Sequence, residues 1–342
     1  MSTASTTRVT TASRARGRRW LLLLAVLALA VMLAVSMLVG SGMISVAESV
    51  HQLLHPSDRA DIVWTLRVPR ALLGVLCGAA FAVAGALIQA LTRNPLADPG
   101  ILGVNAGAGF AVVLAVAILG LSRVQQFLPY SFLGAVLATV LVYLLSTRGT
   151  AGASPVRFIL VGVALAAVLG GMSQTLALLN PTIYDRMRFW GAGSITDRPP
   201  ETVGAVVWFI VAGLVLAMLC AGPLNTMALG DDMARSLGVP VAALQVACVV
   251  AITLLCGAAT AAAGPIGFVG LMVPHIVRWI TGPDQRWVIP GSMLVGAVLL
   301  LTADVIGRVV LWPTELQVGV VTAFIGAPVL VLLVRRRGAS GL

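Results

Sequence analysis

The sequence predicts an all-α integral membrane protein, and three observations carry that prediction: an overwhelmingly apolar composition, a series of apolar runs long enough to cross a bilayer, and arginines gathered on one side of them. Hydrophobic residues make up 59% of the 342 residues and charged residues 10%, whereas a soluble domain carries about 25% charged residues. A chain this apolar cannot cover its own surface in water, so the bilayer must be its solvent.

A spanning helix needs about 20 mostly apolar residues. Segments 21–39, 71–91, 101–121, 127–145, 156–179, 202–222, 241–263, 287–306 and 317–334 meet that test within a few residues at each end. A shorter run, 266–280, holds Pro274 and His275, and counting it gives about ten helices with both termini on one side. The first run follows a basic stretch, but no clear small-x-small cleavage site precedes a soluble domain, so it reads as a retained first helix. The expected organisation is a basic tail over 1–20, a single transmembrane domain over 21–334 and a basic tail over 335–342.

Charge sets the orientation. With the N-terminus inside, 14 of the 22 arginines and four acids fall on the inner side, leaving eight arginines and eight acids outside. That bias has the positive-inside sign, and it predicts cytoplasmic termini. Trp20, Trp64, Trp190, Trp279, Trp287 and Trp312 fall at segment ends, as interfacial aromatics do. Every basic residue is Arg and none is Lys, so the chain cannot cradle ATP in a GxxxxGK[ST] loop; ATP-driven work needs a partner subunit. Cys77, Cys220, Cys248 and Cys256 lie inside apolar runs without CxxC spacing and read as small core residues. No metal site or bound cofactor is expected.

An internal similarity stands out. GAAFAVAG at 78–85 and GAATAAAG at 257–264 match at six of eight positions, 179 residues apart, and at that offset Pro95 meets Pro274 and Gly103 meets Gly282. Five helices separate the copies, so the sequence predicts an inverted internal repeat pairing helices 2–5 with helices 7–10, as in transporters that alternate access.

Three stretches are too polar or too patterned for lipid. The first runs from RVPR at 67–70 to RNPLADPGILGVNAGAG at 93–109, where Asn94, Pro95, Asp98, Pro99 and Gly100 break the helix after a spanning segment. Broken backbone at membrane depth needs protein or a water-filled cavity beside it, so a pathway lining or a tight loop is expected there. The second is LNTMALGDDMARSLGVP at 224–240, in which Leu229, Met233 and Leu237 share one helical face. The third is GPIGFVGLMVPHIVRW at 264–279, followed by 303–334, where Asp304, Arg308 and Glu315 lie near the outer face.

Together RxPR, NPLADPG–LG, LGxxxARSLGV, GPIGFVGLxVPHIVR and the closing EL-VG-VTAFIGAP resemble the FecCD-type permease family of ABC importers, which includes siderophore, haem and vitamin B12 permeases. The resemblance runs from about Trp64 to Val334. It implies a ten-helix subunit in the bacterial cytoplasmic membrane that pairs with a second permease subunit, a copy or a paralogue. It also implies two ATPase subunits that use the ATP, an extracytoplasmic substrate-binding protein, and a ferric siderophore as cargo, with vitamin B12 or haem as the alternative. By motif position Arg67, Arg70 and Arg308 match arginines that dock the binding protein. Asn94, Pro95 and Leu96 match the cytoplasmic gate. Leu229, Gly230, Asp231, Asp232, Met233, Ala234, Arg235, Ser236, Leu237 and Gly238 match the element that couples to the ATPase. Ser154, Pro155 and Val156 stand where the B12 importer has small hydroxyl residues, which puts a second hydroxyl gate in doubt.

Two other classes stay open at this stage. An intramembrane enzyme would need buried nucleophiles or ligands, yet the three histidines form no HExxH and no GxSxG is present. An ion-coupled transporter would want more intramembrane acids than Asp304, which already has a candidate partner in Arg308.

Overall fold

The computed structural model describes residues 6–40, 44–55, 62–121, 124–147 and 155–337. The described residues form thirteen α-helices and no strand. They are α1 (Thr6–Leu38), α2 (Val46–Leu54), α3 (Val68–Thr92), α4 (Val104–Leu119), α5 (Val124–Thr147), α6 (Pro155–Leu179), α7 (Pro181–Gly191), α8 (Pro200–Met227), α9 (Asp231–Ser236), α10 (Val241–Ala263), α11 (Val269–Thr281), α12 (Gln285–Val310) and α13 (Val318–Arg337). A π-helical turn over Val63–Arg67 leads into α3, and a 3₁₀ turn over Pro99–Leu102 leads into α4.

The ten apolar segments read from the sequence are all helical. Seven helices are long and apolar enough to cross a bilayer, while α4, α11 and the apolar part of α13 (Val318–Leu332) are shorter. The 13 residues of α11 span only about 20 Å at 1.5 Å per residue, short of the roughly 30 Å hydrocarbon core. Non-helical backbone over 264–268 precedes α11, and the loop over 93–103, with its 3₁₀ turn, precedes α4. The basic segment is itself helical from Thr6 and continuous with the first span, and α13 likewise continues to Arg337.

At the centre stands α3, buried along most of its length and packed on α12, α10, α11 and α8. Lipid supplies no hydrophobic drive between helices, so close backbone approach and dispersion must hold them. Glycines allow that approach. A Cβ on Gly85 would lie 1.8 Å from the Gly270 carbonyl oxygen, and one on Gly78 would lie 2.4 Å from that of Gly296. The four cysteines are buried within the bundle, as expected. His275 is buried too, its ring edge-on to Trp279 at 4.9 Å.

The two copies of the internal similarity lie on α3 and α10, which pack against each other. Equivalence fails at their last residue. Gly85 is inside α3, which continues to Thr92, whereas Gly264 ends α10 in a left-handed conformation (φ 77°). Beyond that point Pro95 is in a loop but Pro274 is inside α11. A fixed offset therefore relates the helix interiors and not the connections after them.

The tryptophans divide. Trp20, Trp64, Trp279 and Trp312 are exposed, Trp20 at the start of the apolar span within α1 and the others near helix ends, as interfacial rings should be. The expectation for Trp190 is corrected: it is buried where α7 folds back over the bundle.

Overpacking a tight helix crossing costs typically about 1–3 kcal/mol, and more where backbone must move. Gly85→Ala is expected to lower membrane yield and the detergent-solubilised unfolding midpoint by at least that equivalent. Gly204→Ala, which meets open space within α8, is expected to leave both unchanged, and melting curves of the two variants check the contrast.

Candidate functional site

The functional features gather at the two ends of the bundle. The termini, the loop over 93–103 and α9 lie at one end; α7, the segment 192–199 and the loop over 311–317 lie at the other. The chain's alternating crossings separate the two.

At the end away from the termini, charge is concentrated beneath the surface. Asp304 of α12 accepts from Arg70 Nε at 3.0 and 3.1 Å and from Arg70 Nη2 at 2.8 Å, and it also pairs with Arg308 one turn on. Arg70 Nη1 donates to Glu315 at 2.7 Å, and the Thr196 hydroxyl donates to the same carboxylate. Arg308 Nη1 donates to the Ser36 and Val39 carbonyl oxygens, both at 2.9 Å. Arg67 Nη1 donates to those of Met37 and Leu38 at 2.7 and 3.2 Å and to Ser49 Oγ at 2.9 Å. A helix's last carbonyls have no intrahelical partners and carry partial negative charge, so two guanidiniums cap the end of α1.

The three arginines expected to dock a binding protein, Arg67, Arg70 and Arg308, have guanidiniums engaged within the chain. Arg67 is 5% exposed and Arg308 1%, and these guanidiniums hold α1, α3, α12 and the 311–317 loop together. The motif positions are right for that end of the molecule. Burial turns the side chains inward, because the carboxylates and helix-end carbonyls that complete them come from the same chain. Beside the cluster Arg198 donates to the Ser194 carbonyl at 3.1 and 3.3 Å, and burial pulls its pKa below the usual guanidinium value.

A cavity of about 980 Å³ opens at this end, walled in part by Trp190, Arg198, Glu315 and Gln317. A second, of about 410 Å³, lies between α6 and α7 and is lined by Gly170, Ser173, Gln174, Tyr184, Met187 and Arg188. Helix α6 is exposed over most of its length, and its exposed face carries Gly171, Gln174 and Thr175 among apolar residues. Lipid-facing surfaces exclude such polar groups unless they line a polar cavity. The sequence reading passed over α7 and these α6 residues, since single polar residues in an apolar run carry no periodic signal. Ser154 lies outside the described residues; Pro155 opens α6.

At the opposite end, Arg93 caps α3 in a left-handed conformation (φ 52°). Asn94 Oδ1 accepts from the Leu96 amide at 3.0 Å, turning the chain through Pro95, and Asp98 does the same for the Gly100 amide at 2.8 Å. Burial pushes the Asp98 carboxyl up, with the Gly100 amide opposing it. The loop is seated: Ala97, Pro99 and Leu102 are buried, and a Cβ on Gly162 of α6 would lie 1.6 Å from the Ile101 carbonyl oxygen. Leu96 stays 40% exposed, so the expected gate residues Asn94, Pro95 and Leu96 form a fixed projection.

The segment 229–238 contains α9, six residues long between Gly230 (φ 112°) and Gly238 (φ 81°). Leu229, Met233 and Leu237 are 67, 52 and 59% exposed and Ala234 is buried, so the expected apolar stripe faces outward. Asp231 pairs with Arg93 across the loop, while Asp232 pairs with Arg235 along α9 and Ser236 donates to the Met233 carbonyl at 2.8 Å.

Removing one partner of a buried ion pair costs roughly 3–5 kcal/mol. Asp304→Asn is therefore expected to sharply lower the yield of folded protein and its thermal midpoint. Asp185→Asn, at the exposed Arg188–Asp185 pair, is expected to stay within about 0.5 kcal/mol of the parent, and unfolding of both in detergent reads the difference. By the same reasoning Arg70→Glu would place a carboxylate against Asp304 and Glu315, so lost docking in that variant would report misfolding.

Known proteins agree with this architecture. The FecCD transport family model matches residues 26–336. The chain is 48% identical over 310 residues to the ferric enterobactin transport system permease protein FepD of Escherichia coli, covering 90% of this chain and 92% of that one. It is 39% identical over 325 residues to the Fe(3+)-citrate import system permease protein YfmD of Bacillus subtilis, covering 94% and 96%. A solved chain described as a metal-chelate type ABC transporter in an inward-facing conformation superposes with a TM-score of 0.80 at 26% identity, covering 92% of this chain and 99% of that one. With a helix bundle of this form and a family match across nearly its whole length, the chain belongs to the FecCD transport family and is a multi-pass membrane permease.

Proposed function

We propose that the chain forms half of the translocation path of an ATP-driven importer for a ferric siderophore, in the bacterial cytoplasmic membrane with both termini cytoplasmic. Its partners are a second permease subunit, two separate ATPase subunits at the α9 end and an extracytoplasmic binding protein at the opposite end. The chain itself holds no cofactor, and ATP is used by the ATPase. The observation that carries the reading is the outward apolar stripe of α9. A helix of six residues between two left-handed glycines, exposing Leu229, Met233 and Leu237, gains nothing from solvent and suits a groove on a soluble protein.

The rest of the proposal follows from where polarity sits. Arginines concentrate at the α9 end, the side the positive-inside bias makes cytoplasmic. Exposed α6, with Gln174 and Thr175 and the cavity shared with α7, faces the second subunit and the path between them. Arg67, Arg70 and Arg308 support the binding-protein face from beneath. The siderophore cargo rests on the ferric enterobactin system of the 48% identical relative. The committed Asp304, paired with two guanidiniums, is poorly placed to relay protons for an ion-coupled mechanism.

The docking reading is tested by Leu237→Asp, which puts an unpaired charge into the contact, costly once desolvated. Loss of ATPase co-purification and of ferric enterobactin uptake is expected, with normal membrane insertion. Asp232→Asn, off the apolar stripe, should be mild. Parent-like ATPase capture by a well-expressed Leu237→Asp protein would sink the reading.

A second outcome follows from the missing nucleotide loop. The permease reconstituted alone in vesicles is expected to hydrolyse no ATP, and steady phosphate release by the pure chain would overturn the division of labour.

A further inference from the structure

The exposed Arg93–Asp231 pair joins the two cytoplasmic features that the proposed function requires to move together. Arg93 immediately precedes Asn94, Pro95 and Leu96, and Asp231 is the first residue of α9. They are 138 residues apart in sequence. Among the described residues no other α9 side chain is recorded hydrogen-bonding beyond its own turn; Asp232–Arg235 and Ser236–Met233 are internal to it. The buried Ala234 anchors α9 from below, and at Gly230 and Gly238 an added Cβ would meet open space. The helix is thus seated through Ala234 and tied sideways, by a side chain, only to Arg93 among the described residues.

Arg93, by contrast, is fixed at its base. One turn earlier on α3, buried Gln89 donates to the Gly270 and Leu271 carbonyls at 3.1 and 3.2 Å and accepts from Arg278 Nη1 at 2.7 Å. The backbone that follows is locked by the Asn94 turn and by Ile101 against Gly162. A push on α9 therefore arrives at a stiff loop whose projecting side chain is Leu96.

We propose that Arg93 and Asp231 are positioning residues that form a strut carrying the movement of α9 to the Asn94–Leu96 projection, so that the pair sets how tightly ATP use is linked to opening. This inference rests on the reading of α9 as the ATPase contact. An ion pair this exposed adds little to folding, so its removal leaves a sound protein in which transmission alone is changed. Because the interaction is between opposite charges, reversing both ends keeps it.

The test uses the assembled importer in vesicles, with Asp231→Arg, Arg93→Asp and the double exchange beside the parent. ATP hydrolysis and uptake of radiolabelled ferric enterobactin give the ATP used per substrate. A Leu96→Cys background gives a second readout independent of cargo: labelling by a membrane-impermeant maleimide with and without a non-hydrolysable ATP analogue. Arg93→Asp, which lies outside α9, is expected to keep ATPase co-purification and hydrolysis, and each single reversal is expected to raise ATP per substrate about tenfold, within the usual range of coupling between sites, and to abolish the nucleotide-dependent change in labelling. The double exchange is expected to return both to within about twofold of the parent.

Parent-like coupling and labelling in the single variants would overturn the proposal, as would a double exchange no better than the worse single. Loss of ATPase capture by Arg93→Asp would also overturn it, because the pair would then belong to the docking face itself. Leu237→Asp separates the two ideas: retained capture there defeats the docking role of α9, whereas the labelling change at position 96 reads the strut directly.

Discussion

Asp304 is the fixed point on which much of this bundle hangs. It is an acid inside a spanning helix, 2% exposed, and its charge is tolerated because Arg70 and Arg308 approach it from two sides. Two buried charges recover their desolvation cost only with good geometry and with their remaining donors satisfied. Here the helix end of α1 supplies acceptors through the carbonyls of Ser36 and Val39 for Arg308, and those of Met37 and Leu38 for Arg67. Helix α1 is otherwise mostly exposed. Electrostatics at its end therefore fixes where a lipid-facing helix meets the core, which packing of its apolar sides would leave loosely specified.

From that point the structure grades from stiff to free. Around α3 the backbones touch those of α12 and α11 through Gly78 and Gly85. The loop after α3 inherits this stiffness because its buried residues and Ile101 are packed against α6 and α11. Only at the α9 end does freedom return, in a six-residue helix between glycines. A transporter driven by a soluble motor needs both properties. A core that yields would dissipate the motor's movement, and an end that does not move could not receive it.

The end away from α9 follows a different rule. There backbone bonds join pieces distant in sequence, Ser194 donating to Ala263 at 2.7 Å and Gly319 to Gly193 at 3.0 Å. Irregular backbone must satisfy its polar groups from other protein when lipid is near. These bonds hold α7 and its following turn over the bundle, beside the cavity of about 980 Å³. The concavity is thus walled in part by irregular segments tied to distant parts of the chain.

Composition and run length determined the helical class, the ten apolar helices and the side on which the arginines gather, because the bilayer imposes length and polarity on every spanning segment independently of its neighbours. The i, i+4, i+8 spacing of Leu229, Met233 and Leu237 likewise announced an exposed apolar stripe, since a short helix fixes which of its residues share a face. Nothing local revealed that Arg67, Arg70 and Arg308 point inward. An arginine near a membrane surface can satisfy its charge with lipid, a partner or its own chain, and only the arrival of Asp304, Glu315 and the end of α1 decides among these. Trp190 and the equivalence of Gly85 with Gly264 were misjudged for a related reason: whether a ring is interfacial, or a repeat keeps its register, depends on what folds over it. Arg93 counted in the sequence merely as one inner charge. Its partner Asp231, at the start of α9, is 138 residues away, a contact that only the tertiary structure decides, because no spacing rule extends across the five intervening helices α4–α8.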